Sequence, residues 1–328
     1  MGDFIDQKKS EQQGRRGEYA DLLNDFMFKR IFGSEENKDV LIAFLNRMLK
    51  DVEIEDVTFI ETYHLGETEE DRKAVFDLSC RCRNGSTFIV EMQKARQKNF
   101  RERALYYTSY PILEQGRKAR EQYEREKVYR SRQGLPVKEF KWDFTLKPVI
   151  MVSILNFRLE HCHNWPDARY YSSYSISEET YGERLTNNLR YVFLELGRFK
   201  KEICDLSDPY DKWMYLFCHM PDLQVRPEGF DEIEFDRLFN LAEIHNFTAE
   251  EYEAYKKSLE QMSDYVNTID CARDEGREIG RKEGREQGRE EARQDTIRQL
   301  HSKGLSATQI ADLLDVTLEQ VESILAEK

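Results

Sequence analysis

Apolar and polar residues follow patterns along the chain that distinguish helices from strands. In two early segments, 24–32 and 38–49, apolar residues recur three and four positions apart, which is the spacing of amphipathic helices. Three short segments follow that are rich in aromatic and β-branched residues, at 57–65, 74–82 and 87–93. Charged or glycine-containing stretches bound each of them, so they predict three consecutive strands.

The rest of the chain adds a long helix, two further strands and more helix. Residues 99–132 are basic and rich in good helix formers, and we expect Pro111 to kink or divide the helix that they predict. Residues 146–157 are mostly apolar, which predicts a strand buried on both faces, and 189–196 have the pattern of another strand. Residues 209–268 have a largely helical pattern.

The two consecutive strands at 74–82 and 87–93 each contain one carboxylate in an apolar sequence, Asp77 and Glu91. An unpaired buried carboxylate is costly, so such residues are usually neutralised, hydrogen-bonded or bound to a cation. The alternative is that both lie on a solvent-facing sheet edge. Whether the two converge depends on the register of the hairpin, because side chains alternate faces along a strand.

Two loop lengths are compatible with the hairpin sequence. A two-residue turn at 84–85 would direct the two carboxylates to opposite faces of the sheet. A three-residue loop at 83–85, with Gly85 in the left-handed conformation, would pair Cys82 with Ser86 and bring the two carboxylates directly opposite each other. We predict the three-residue loop.

In that register, one cation can be shared by both acids. Directly opposite residues of an antiparallel pair have Cβ atoms about 4.5–5.5 Å apart, so Asp77 and Glu91 can both reach it. Gln93 lies two residues beyond Glu91 and shares its face. Carboxylate, backbone and water oxygens form a hard donor set, which suits Mg²⁺ or Mn²⁺ rather than zinc. Next to a phosphodiester, such an ion would polarise the phosphorus and activate a water for in-line attack.

Asp77, followed after a hairpin by Glu91-Met92-Gln93, resembles the D…(D/E)xK signature of the PD-(D/E)xK nucleases, with Gln93 in place of the usual lysine. The chain is most similar to the bacterial branch of recombination-promoting nucleases and transposases, in which ExQ is a familiar variant. The likeness extends over roughly residues 21–290 and is carried by the segments 24–46, 89–93, 101–116, 147–157 and 193–199.

The resemblance implies a restriction-endonuclease-like α/β core, a mixed sheet flanked by helices, with an added helical region and a C-terminal helical tail. It implies a divalent-metal-dependent DNA endonuclease of recombination, transposition or defence. Asp77, Glu91 and Gln93 would be catalytic, with Mg²⁺ or Mn²⁺ bound by Asp77 and Glu91. Gln93 lacks the charge of lysine, a loss that would slow the chemistry. The alternative is a catalytically degenerate relative that binds DNA or protein partners and oligomerises through its C-terminal tail.

The charge distribution changes the expectation about partners. A net charge of −13 disfavours binding to nucleic acid. Two segments are nevertheless basic, since residues 94–103 contain five basic residues and one acidic residue, and residues 117–132 contain seven basic and three acidic residues. A solvated helix face is the alternative interpretation, but a helix beginning beside the metal would present these side chains to DNA. The candidate DNA contacts are Lys94, Arg96, Arg101, Arg103, Tyr106 and Arg117. Of these, Lys94 should point to the opposite face of its strand. We expect Tyr107, Tyr110 and Leu113 in the core.

Asp25 opens the first predicted helix and has two interpretations. It could be an extra acid near the metal. As a helix N-cap it would need no chemistry, and we favour the cap.

Composition and targeting signals restrict the class of protein further. Hydrophobic residues make up 39% and charged residues 34% of the 328, which is typical of a soluble globular chain. No stretch approaches the length of a membrane helix, and the polar N-terminus lacks a secretory signal, so we expect a cytoplasmic protein without a membrane partner. Six cysteines without a CxxC pair indicate reduced thiols.

Residues 273–293 repeat every four positions, with arginine and glycine recurring. The GxxxxGK[ST] arrangement is absent, so we expect no nucleotide cofactor. Four glycines would cost a helix about 1 kcal/mol each, so a helix here would need a partner, and a flexible charged spacer is the alternative.

The tail at 304–328 contains two capping boxes, which predict two short helices that resemble a helix-turn-helix. Its second helix is rich in glutamate, which favours oligomerisation or partner binding over DNA reading. The predicted organisation is a disordered leader (1–20), a nuclease-like domain with a helical extension (21–268), the repeat (269–294) and the tail (295–328). Residues 269–328 are the expected route to a homo-oligomer or a partner protein.

Overall fold

The structure is a computed structural model that describes residues 18–60, 77–159, 166 and 169–326. The leader predicted for residues 1–20 lies outside the described residues except at its end. There the prediction is wrong, because Tyr19 and Ala20 are buried in the core. The backbone of Ala20 also donates a hydrogen bond to Ala242, so the folded domain already includes these residues.

Six described strands form one mixed sheet. They are β1 (Val57–Phe59), β2 (Leu78–Cys82), β3 (Thr87–Gln93), β4 (Val149–Leu155), β5 (Tyr171–Tyr174) and β6 (Leu189–Glu195). Their order is β1-β2-β3-β4-β6-β5, with β3, β4 and β6 mutually parallel and the other pairs antiparallel. The strands predicted at 87–93, 146–157 and 189–196 are confirmed, and every residue of β4 is buried, as its apolar sequence predicts. Strand β5 was not predicted.

Helices cover both faces of the sheet, in agreement with the predicted α/β fold class. The helices are α1 (Asp25–Phe32), α2 (Lys38–Met48), α3 (Phe100–Arg132), α4 (Pro209–His219), α5 (Ile233–Ala242), α6 (Ala249–Ser302), α7 (Ala307–Leu314) and α8 (Leu318–Ala326). The larger core lies between the sheet and helices α1, α2, α4 and α5. The smaller core lies between the sheet and the first turns of α3.

Strand β3 contributes to both cores by alternation. Phe88, Val90 and Met92 face the larger core, whereas Ile89 faces the smaller one. Side chains two residues apart share a face, so Glu91 lies on the side of the sheet that α3 covers.

Helix α3 is a single helix, so of the two predicted effects of Pro111, a kink or a division, the division does not occur. Tyr107 and Tyr110 are buried, as predicted, but Leu113 is 67% exposed. Nine residues separate Leu113 from the buried Ala104, which at 3.6 residues per turn places the two on opposite sides of the helix.

The chain forms two compact units, one ending at Leu259 and the other beginning at Glu260. The second unit has a small core of its own, formed by Ile297, Ile310, Ala311, Val321 and Ile324. Both predicted capping boxes are confirmed by reciprocal hydrogen bonds, Ser306 with Gln309 and Thr317 with Gln320. The four-residue repeat lies within α6, so the helical alternative is the observed one. Within the described part of the chain, no helix is both long and apolar enough to span a membrane.

Candidate active site

The hairpin between β2 and β3 closes with the predicted three-residue loop. The N–H of Gly85 donates to the carbonyl of Cys82 at 2.9 Å, and Gly85 has a φ of +91°, which a residue with a Cβ rarely adopts. The N–H of Cys82 donates to the carbonyl of Ser86 at 2.9 Å. The glycine therefore sets the length of the loop and, through it, the register of the strands.

This register brings the two candidate acids together. Leu78 pairs with Val90, so Asp77, one residue before β2, lies directly opposite Glu91. The N–H of Asp77 points to Glu91 Oε2 at 3.5 Å, and the N–H of Met92 donates to Asp77 Oδ2 at 2.7 Å. The predicted opposition of the two residues is confirmed.

Burial makes ionisation of both acids unfavourable. Desolvation raises the pKa of Asp77 to about 6, although the N–H of Met92 opposes the rise. Desolvation also raises the pKa of Glu91, which is 1% exposed, to about 8, and the negative charge of Asp77 adds to that rise. Arg103 lowers the pKa of both carboxyls. The two acids thus lie where negative charge is undercompensated, and a bound cation would stabilise their ionised forms.

A closed ring of polar contacts surrounds Glu91. Gln93 Nε2 donates to Glu91 Oε1 at 2.7 Å, and Gln97 Nε2 donates to Gln93 Oε1 at 2.5 Å. Arg103 Nη1 donates to Gln97 Oε1, and Arg103 Nη2 lies 3.4 Å from Glu91 Oε1. The sequence did not point to Gln97, since it follows the strand in a segment without periodicity, and it did not predict that Arg103 turns towards Glu91.

The donor set of the site fits Mg²⁺ or Mn²⁺. Asp77 and Glu91 contribute carboxylate oxygens from neighbouring strands, and one or two carboxylates with several waters are a usual protein site for Mg²⁺. Among residues 18–60, 77–159, 166 and 169–326, no group of three or more His, Cys, Asp or Glu side chains is arranged to hold a metal ion. The fit therefore rests on two protein ligands.

The preferred interpretation of Asp25 is wrong. The N-cap of α1 is Asn24, whose side chain accepts a hydrogen bond from the N–H of Met27, and Asp25 is the first helical residue. Two good capping residues stand next to each other in the sequence, so the pattern alone selects neither. Asp25 forms an exposed ion pair with Lys29, and its charge raises the pKa of Asp77, so it acts on the site electrostatically.

The candidate DNA contacts occupy different environments. Lys94 pairs with Asp21 at 2.6 Å, and Arg117 contacts Glu114 at 2.7 Å and also Glu121. Arg103 belongs to the ring around Glu91. The exposed members of the set are Arg96, Arg101, Tyr106 and Arg117, all in the segment that follows β3.

Comparison with known proteins gives one match. A family model described as PD-(D/E)XK nuclease family transposase matches residues 22–272, a range that contains the sheet and the residues around Glu91. No curated protein and no solved structure matches the chain.

Proposed function

The chain belongs to the PD-(D/E)XK nuclease family transposases, and on this premise we propose that it is a divalent-metal-dependent DNA endonuclease. The observation that carries the proposal is the opposition of Asp77 and Glu91 on neighbouring strands. Mg²⁺ or Mn²⁺ would be held by these two carboxylates. When bound, the ion would polarise the phosphodiester and lower the pKa of the attacking water.

The surrounding residues have separable tasks in this proposal. Gln93 fixes Glu91 through the amide donated to Oε1, so that the carboxylate keeps one orientation. The N–H of Met92 does the same for Asp77. Asp25 raises the pKa of Asp77 and its ion-pair partner Lys29 lowers it, so Asp25 would attract a cation to the site only in part. Arg96, Arg101 and Tyr106 are exposed beyond the end of β3, where they would contact the DNA backbone. Lys94 and Arg117 would add contacts by exchanging their acidic partners for phosphates.

One observation favours the second candidate, a degenerate relative that binds DNA or protein without cutting. The ring of Glu91, Gln93, Gln97 and Arg103 gives Glu91 both a hydrogen-bond donor and a positive charge from the protein itself. A carboxylate neutralised in this way could persist without a metal ion.

Nicking of supercoiled plasmid distinguishes the two candidates. We expect cleavage with Mg²⁺ or Mn²⁺, no cleavage in EDTA, and a loss of at least about 10²-fold in Asp77→Ala and Glu91→Ala. The matched control is Asp39→Ala, which removes an exposed acid paired with Arg237 and should cleave at the wild-type rate. If the wild-type protein binds DNA in a gel shift but stays inert with either ion, the degenerate relative is correct.

We also propose that residues 269–328 mediate self-association. The four repeat glycines have no atom within 4 Å of a Cβ built on them, and Leu313 of α7 is 63% exposed, so both remain available to a second chain. Light scattering on the full chain should give an oligomer. Leu313→Asp should lower the mass, and an unchanged mass would exclude this leucine from the interface.

A further inference from the structure

Gln93 stands where the family signature has a lysine, and it brings no charge to the site. We propose that Arg103, from the first turn of α3, supplies the positive charge that Gln93 cannot and contacts the phosphate that is cut. This inference rests on the proposed function, because it assigns a catalytic residue to the same reaction. It gives Arg103 a role at the reacting group instead of a general contact to the DNA backbone.

The position of the guanidinium supports this role. Arg103 Nη2 lies 3.4 Å from Glu91 Oε1, and the guanidinium carbon lies 4.8 Å from the centre of the Tyr107 ring, which supports it from one side. The Arg103 side chain remains 33% exposed, whereas Glu91 is 1% exposed. The positive charge is therefore beside the buried carboxylate and still accessible from solvent.

Arg103 also has hydrogen-bonding capacity to spare. Its Nε is buried and has no hydrogen-bond partner among the residues that the structure describes. Buried donors are nearly always satisfied, so an unpartnered one indicates a missing ligand. A phosphate oxygen is a suitable acceptor, because the planar fork of a guanidinium matches the geometry of a phosphate.

Gln93, by contrast, is already held at both of its polar atoms. Its Nε2 donates to Glu91 and its Oε1 accepts from Gln97, so both of its polar atoms are engaged. Gln97 in turn accepts from Arg103 and holds the guanidinium next to the acids. The two tasks of a lysine in this position, orientation and charge, are thus divided between Gln93 and Arg103.

The test uses three variants. They are Arg103→Ala, Arg103→Lys and a double variant that carries both Gln93→Lys and Arg103→Ala. The matched control is Arg47→Ala, which removes an arginine from a partly exposed pair with Glu234 on another helix. Three quantities are measured for each protein. They are the plasmid nicking rate, the Kd for Mn²⁺ by calorimetry, and the Kd for an oligonucleotide in Ca²⁺ by fluorescence anisotropy.

We expect Arg103→Ala to slow nicking by about 10²-fold, a typical loss for one electrostatic contact to the transition state. Its Kd for Mn²⁺ should stay equal or fall, because a cation that competes for Glu91 has been removed. Arg103→Lys should keep part of the rate, and Gln93→Lys should restore at least about tenfold in the Arg103→Ala background, since it returns a positive charge to the site.

Several results would overturn the inference. These results are a nicking rate of Arg103→Ala equal to that of Arg47→Ala, a Mn²⁺ affinity that falls together with the rate, and an added lysine that restores no activity. The last two outcomes would make Arg103 a brace of the ring only. A wild-type protein that never cleaves would refute the proposed function instead. In that case the anisotropy measurement tests the phosphate contact. Arg103→Ala must raise the Kd for the oligonucleotide about tenfold more than Arg47→Ala does, and equal effects of the two variants refute the contact.

Discussion

Replacing Glu91 by glutamine should stabilise the protein without metal, because burial of this carboxyl opposes folding whenever it is ionised. Burial raises the pKa of Glu91 from its ordinary value of 4.5 to about 8. Between these two pH values the unfolded chain has lost the proton that the folded protein retains. The free energy of unfolding of the wild-type protein therefore loses a contribution as pH rises through this window, and the loss is complete above pH 8.

The size of the effect follows from the same two pKa values. At about 1.4 kcal/mol for each pH unit, the full difference is roughly 5 kcal/mol. Water entry and loss of the contact with Arg103 reduce the gain in Glu91→Gln. We therefore expect the stability gap between variant and wild type to widen by at least about 2 kcal/mol from pH 5 to pH 8.

Urea denaturation in EDTA at several pH values measures this gap. The control is Glu250→Gln, which replaces an exposed glutamate at the start of α6, and the widening for Glu91→Gln is read relative to this variant. Excess Mg²⁺ at pH 8 should stabilise the wild-type protein and not Glu91→Gln, because the variant has lost a ligand. A difference in stability between variant and wild type that stays constant or narrows with rising pH would refute the conclusion that burial of ionised Glu91 destabilises the folded protein.

Three further variants test other parts of the structure. Gly85→Ala should lower the free energy of unfolding by about 1–2 kcal/mol and reduce nicking, because φ is +91° and a Cβ would lie 3.1 Å from Lys147 Cγ. Urea denaturation should show a smaller loss of stability for the control Gly134→Ala, where no atom lies within 4 Å of the added Cβ. Arg198→Met should cost about 3–5 kcal/mol by the same measurement, since it removes the partner of the fully buried Glu195, and a loss under 1 kcal/mol would contradict the importance of this pair. Gln93→Lys alone should weaken Mn²⁺ binding and not raise the nicking rate. A higher nicking rate would show that the wild-type site lacks a positive charge that Arg103 does not supply.

The central hairpin could be predicted from sequence because its determinants are local. The glycine after Arg83-Asn84 leaves two loop lengths, of which the three-residue loop is the observed one, and the alternation of side chains then carries the register to Asp77 and Glu91. The buried strand β4 was equally accessible, since a continuously apolar run has few alternatives inside an α/β fold.

The surroundings of the site could not be predicted in the same way, because they depend on how α3 docks on the sheet. Arg103 and Arg101 both belong to a basic segment, yet Arg103 contacts Glu91 and Arg101 is exposed. No pattern in the sequence specifies which side of a charged helix faces the sheet when most of its length is polar. Strand β5 was missed for a related reason, since its serine-containing sequence becomes a strand by pairing with β6.

The division of labour around Glu91 explains how a glutamine can stand in the place of a lysine. An ammonium at position 93, with Arg103 retained, would put two positive charges beside Glu91 and compete with a divalent ion for its oxygens. A neutral amide orients the same carboxylate without that competition. The charge can then come from α3, where the partly exposed guanidinium of Arg103 lies beside Glu91 and can also reach a phosphate. On this argument the ExQ pattern and the arginine on the following helix are one functional unit, so the double variant has to be compared with each single variant.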